Sequence, residues 1–210
     1  MSSVKEINST FKTKMPIPAI RERTYLMYDR NVTALYTMQF NLEIDKSDLV
    51  NMGVSLLTKA VRDVCSMDKV DTIHAKELIM EEVSGEKEHN IVSRMFDLPE
   101  PTTPYVLTDS DTPMKRTNKS YHITERSYGM MNTLEFNMRT GLSSIVNLAV
   151  DLLVKSLKEI GSTKGCTMVQ AIDMIVDELS KESYSALISE IFVSTPIPLA
   201  KVDEFVGMRA

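Results

Sequence analysis

The sequence predicts a mainly α fold with a short antiparallel β-ribbon, built from two tandem strand-helix-helix-helix repeats that form a pseudo-twofold unit. Three observations carry this expectation. Sliding the chain against itself by 96 positions aligns residues 37–96 with 133–192 without a gap, and 18 of the 60 pairs are identical by direct count. Each copy holds a short stretch of alternating apolar and polar residues, the period of a half-buried strand. Each stretch is followed by apolar residues at helical spacing.

The strand is expected at 37–44 in the first copy, where Met38, Phe40, Leu42 and Ile44 alternate with Gln39, Asn41 and Glu43. In the second copy Leu134, Phe136 and Met138 alternate with Glu135, Asn137 and Arg139 at 133–139. The next element is a helix that Ser47 and Ser143 can cap. Its stripe is Val50, Val54, Leu57, Val61 and Val64, answered by Val146, Val150, Leu153, Leu157 and Ile160. A neighbouring stripe of Leu49, Leu56 and Ala60, matched by Ile145, Ala149 and Leu152, widens the apolar face, so this helix should be covered on more than one side by the other copy. Asn51 and Asn147 interrupt it at matched positions, as buried amides that fix register or as a shared contact site.

A second helix starts near Asp71 and near Thr167, the latter with Gln170 placed for a capping box. Its core face in the second copy is Met168, Ala171, Ile172, Ile175 and Leu179. A short third helix holds Ile91, Val92, Met95 and Phe96, matched by Leu187, Ile188, Ile191 and Phe192. The boundaries that follow are a basic N-terminal arm at 1–20, repeat 1 at 21–101, a Pro- and Thr-rich linker at 102–116, repeat 2 at 117–197 and a C-terminal tail at 198–210. Tyr25/Tyr121, Asp29/Glu125 and Arg30/Arg126 keep the same spacing and support these outer limits.

Composition narrows the function. The 210 residues include 43% hydrophobic residues, enough for a core, and no apolar run reaches the roughly 18 residues of a spanning helix. The polar N-terminus lacks an apolar signal region, and Cys65 and Cys166 are too far apart for a zinc spacing, so a cytoplasmic protein with free thiols is expected. No Gly-rich phosphate loop, metal spacing or matched acid, base and nucleophile set is present, so neither an enzyme nor a cofactor is expected.

The segments MQFNLEI and LEFNMRT, each followed by helices, resemble the ribbon-helix-helix (Arc/MetJ-like) DNA-binding family, as does LVKSLKEIGSTKGCTMVQAIDMIVDEL with its Gly-containing turn and polar-capped helix. The resemblance implies a tandem version in which two strands pair into a ribbon that enters the DNA major groove. It implies a base-reading face of Gln39, Asn41 and Glu43 with Glu135, Asn137 and Arg139. Asn suits adenine and Arg guanine, whereas Glu accepts only from cytosine.

Charge supports the same polarity. The net charge is −5, yet residues 12–30 carry Lys12, Lys14, Arg21, Arg23 and Arg30 against Glu22 and Asp29. Residues 115–126 carry Lys115, Arg116, Lys119 and Arg126 against Glu125 alone. Each ribbon strand is thus expected to follow a basic arm that contacts phosphate. Double-stranded DNA is the expected partner, for transcription regulation. The alternative is a non-enzymatic protein-binding inhibitor or adaptor built on the same duplicated fold. No membrane association is expected. The two copies form an internal pseudo-dimer, or exchange strands with a second chain as a homodimer.

Overall fold

The computed structural model describes residues 20–99 and 115–181. The expected N-terminal arm except Ile20, nearly all of the linker, the second copy's third helix and the C-terminal tail lie outside the described residues. The described residues are mainly helical, with a two-stranded antiparallel sheet. In chain order they form β1 (Ile20–Tyr28), α1 (Asp29–Leu42), α2 (Lys46–Asp68), α3 (Thr72–Ser84), α4 (Ile91–Met95), β2 (Arg116–Thr124), α5 (Glu125–Met138), α6 (Leu142–Lys164) and α7 (Met168–Ser180). The bounds of β2, α5, α6 and α7 are those of β1, α1, α2 and α3 moved by 96 residues.

The strands are not where the alternation of 37–44 and 133–139 places them. Those segments are the C-terminal turns of α1 and α5 and the turns that follow. The alternation is too short to distinguish a strand from a helix, and a longer helical stripe decides the matter. Asn31, Leu35, Met38 and Leu42 line the buried face of α1, three or four residues apart. Phe40, which a strand would bury beside Met38 and Leu42, is 85% exposed, and Phe136 is 77% exposed. The true strands lie upstream. Tyr25 and Met27 in β1, and Tyr121 and Ile123 in β2, are buried, while Thr24, Leu26, Ser120 and His122 between them are exposed.

An isolated two-stranded ribbon is marginal in water, and each strand keeps one edge of unpaired backbone groups. Here the helices close both edges. Asn147 of α6 accepts from Tyr28 N–H at 2.9 Å through Oδ1 and donates from Nδ2 to Leu26 C=O at 3.0 Å. Asn51 of α2 accepts from Thr124 N–H at 3.2 Å and donates to His122 C=O at 3.0 Å. Ser143 and Ser47 complete the edges, their hydroxyls accepting from Leu26 N–H and His122 N–H at 3.1 Å each.

These bonds correct the capping assignment of the two serines. The side-chain cap of α2 is Asp45, whose carboxylate accepts from Ser47 N–H at 2.7 Å, and α6 starts at Gly141 without a side-chain cap. The expected caps Asp71 and Thr167 are in place, and Thr167 forms the capping box with Gln170.

The core lies between α2 and α6. Both expected stripes of these helices are buried, as their width requires, because each helix is covered by the other and by α1, α5 and the ribbon. The helices come close together at Gly53, where an added Cβ would stand 2.9 Å from the Ala149 carbonyl oxygen. On α7, Ala171, Ile172, Ile175 and Leu179 are buried, but Met168 is 38% exposed and does not belong to the core face. Helix α4 is buried through Ile91, Val92 and Met95. The Glu82 carboxylate holds its start, accepting from Ile91 and Val92 N–H at 2.8 and 3.1 Å.

Candidate nucleic-acid interface

The strands pair in the register Glu22↔His122, Thr24↔Ser120 and Leu26↔Asn118, with Ile20↔Thr124 and Tyr28↔Arg116 at the ends. Odd-numbered side chains of the central ribbon turn to the helices. The even-numbered residues Glu22, Thr24, Leu26, Asn118, Ser120 and His122 are all exposed on the opposite face. At the middle of that face the Thr24 and Ser120 hydroxyls share a hydrogen bond of 2.8 Å. Beneath it, burial pushes the Tyr25 and Tyr121 phenols up to about 12 each, so both stay neutral supports of the ribbon.

Cations lie along the ribbon, Arg116 at an even-numbered position like the open face and Arg21, Arg23 and Lys119 at odd-numbered positions, the parity that turns to the helices. The two strands with Lys115 hold Arg21, Arg23, Lys115, Arg116 and Lys119 against the single carboxylate of Glu22, in a chain whose net charge is −5. Arg21, Lys115 and Arg116 are exposed, and Arg23 and Lys119 half-buried. Two of the guanidiniums rest on aromatic rings. Arg23 lies 4.1 Å from the centre of the Tyr128 ring, and Arg116 lies 4.5 Å from that of Tyr28 while donating to the Tyr28 hydroxyl at 2.7 Å. Such stacking holds a planar cation in place while leaving donors free for phosphate oxygens.

The expected site residues divide into two groups. Arg21, Arg23, Arg116 and Lys119 are brought together, but as part of the ribbon and not on arms preceding it. Arg30 begins α1, where it pairs with Asp151 at 3.2 Å, and Arg126 is half-buried at the start of α5. The expected reading face is not assembled. Gln39, Asn41 and Glu135 lie on α1 and α5, and Glu43 and Arg139 are the left-handed C-caps of those helices. Asn137 is buried, and its amide, like that of Asn41, donates to the helix carbonyl one turn back at 2.8 Å. QFNL is therefore helical, and its likeness to a family ribbon does not describe this ribbon.

Reading from the strand expected at 37–44 missed Glu22, Thr24, Leu26, Asn118, Ser120 and His122. The signal was the alternation of RERTYLMY and RTNKSYHIT, which keep Tyr25 and Tyr121 in register at the 96-residue spacing. Among the described residues no group of three or more His, Cys, Asp or Glu is placed to hold a metal ion. No single helix there is long and apolar enough to cross a membrane. No family model, curated protein or solved structure matches the chain.

Proposed function

We propose that the protein is a DNA-binding regulator that lays the exposed face of the β1–β2 ribbon in the major groove of double-stranded DNA. The observation that carries this reading is the ribbon itself: one face rests on the helices, while the other is open and mostly polar, and the two strands with Lys115 carry five cations against one carboxylate. A two-stranded ribbon suits the width of the major groove, and side chains alternating along it meet base edges there.

A pseudo-twofold relation between the copies belongs to this reading. Thr24 pairs with Ser120, its own counterpart 96 residues on, and Gly53 meets Ala149, its counterpart in α6. The Asn51 and Asn147 contacts with the strands recur at the same spacing. An axis through the Thr24–Ser120 pair and the Gly53–Ala149 contact accounts for all of these. The setting is cytoplasmic, the activity non-enzymatic, and Cys65 and Cys166 remain thiols.

The test is retention of genomic DNA fragments by the purified chain across a salt series. Each cation that meets a phosphate steepens the fall of log K with log salt by about 0.9, so replacing exposed Arg116 or Lys115 by Ala reduces the slope by about one each. No retention at low salt refutes the proposal. A second reading, a protein-binding surface, is favoured by Phe40 and Phe136, which stand exposed at matching positions of α1 and α5. A stoichiometric protein complex that depends on these rings and ignores ribbon substitutions would support it.

A further inference from the structure

We infer that the ribbon recognises a non-palindromic DNA site, with A·T pairs under one end of its exposed face and G·C pairs under the other. The inference rests on the DNA reading above and specifies its ligand. A ribbon of two identical strands carries the same outward side chains on each, and its twofold symmetry matches that of a palindrome. Here the strands belong to one chain, and their counterparts have diverged. At the 96-residue spacing Glu22 answers to Asn118 and Leu26 to His122, and only the central Thr24 and Ser120 keep one chemistry.

The register sorts these differences by end. Glu22 lies beside His122 on one side of the Thr24–Ser120 pair, and Leu26 beside Asn118 on the other. Asn118 offers the donor and acceptor that pair with the N7 and N6 positions of adenine. Its neighbour Leu26, 40% exposed, supplies an apolar surface suited to the thymine methyl group. At the other end the Glu22 carboxylate can accept only from a base amino group, which in the major groove is the N4 of cytosine or the N6 of adenine. A carboxylate's standard base partner is the N4 of cytosine, and an imidazole N–H of His122, though able to donate to adenine N7 or thymine O4, fits the N7 or O6 of that cytosine's guanine partner. The two side chains at each end are thus compatible with one type of base pair, A·T at one end and G·C at the other.

The experiment is selection from duplexes with a random core by the full chain, followed by sequencing, and repeated with variants at these exposed positions. The expected motif is non-palindromic, A·T on one side and G·C on the other. Leu26→Ala and Asn118→Ala erase the first half, and Glu22→Ala and His122→Ala the second, each reducing discrimination at its own half by about 5- to 150-fold. The double change Glu22→Asn with Leu26→His gives both strands the same outward chemistry, and its selected motif becomes palindromic. A palindromic motif from the unaltered chain, or retention without any motif, overturns the inference and leaves DNA binding standing. Absence of retention at low salt overturns both.

Discussion

Replacing Asn147 by Ala removes the group that closes the free edge of β1. Its amide accepts from Tyr28 N–H and donates to Leu26 C=O, and it also meets Asn31 Nδ2 at 3.1 Å and Ser143 C=O at 2.7 Å. Truncation leaves two ribbon backbone groups without their partner, and an orphaned buried group costs roughly 1–3 kcal/mol. Both sites are only part-buried, so water recovers some of that cost. A loss of roughly 3 kcal/mol is expected, with about 1 kcal/mol more from the Asn31 contact. Asn51→Ala provides the internal control. It serves the other strand with the same two bonds, but Ser127 occupies the position matching Asn31 and bonds to Thr124 instead. Asn51→Ala should therefore cost about 1 kcal/mol less than Asn147→Ala. Urea unfolding followed by circular dichroism reads both values, with midpoints falling and slopes unchanged. Losses under 1 kcal/mol for both variants would refute the argument that these amides hold the ribbon, as would a larger loss for Asn51→Ala.

Further outcomes follow from the same geometry. Gly53→Leu forces α2 and α6 apart, because its Cβ alone would stand 2.9 Å from backbone at Ala149; the cost should exceed the 1–3 kcal/mol of ordinary overpacking, read as a lowered urea midpoint. Tyr25 and Tyr121 are held neutral by burial up to about 12, whereas unfolded tyrosine ionises near 10. Their raised values favour the fold fully below about pH 10 and lose that contribution as pH rises towards 12, so stability should fall across that window and less steeply in Tyr121→Phe. Glu43 and Arg139 hold the left-handed conformation at φ 54 and 50, so Glu43→Gly and Arg139→Gly should each raise stability by about 0.5–1 kcal/mol in thermal unfolding.

Helices α2, α3, α4, α6 and α7 were legible in the chain, whereas the ends of α1 and α5 were read as strands and the true ribbon was missed. For α2 and α6 the apolar stripes run through several turns, and no other periodicity competes with them over that length. For α1 and α5 the visible window contained Met38, Phe40 and Leu42, which read equally as alternate strand positions or as one turn of helix with Phe40 to spare. Exposed Phe40 and Phe136 break the usual link between aromatic character and burial, and that break moved the expected strand into a helix. The candidate site moved with it. Of the residues named from sequence, only the cations at Arg21, Arg23, Lys115, Arg116 and Lys119 lie on or next to the ribbon strands.

What the sequence by itself determined was the 96-residue self-similarity, the helices with their caps at Asp71 and Thr167, and the clustering of basic residues at 12–30 and 115–126. These depend on spacing along the chain, which local hydrogen bonding and helical period convert directly into structure. Only the tertiary structure decided which alternating segment becomes a strand, because a strand exists only where its edges find partners. Tyr28, Leu26, Thr124 and His122 find theirs in Asn147, Ser143, Asn51 and Ser47, each pairing spanning more than 70 residues of chain.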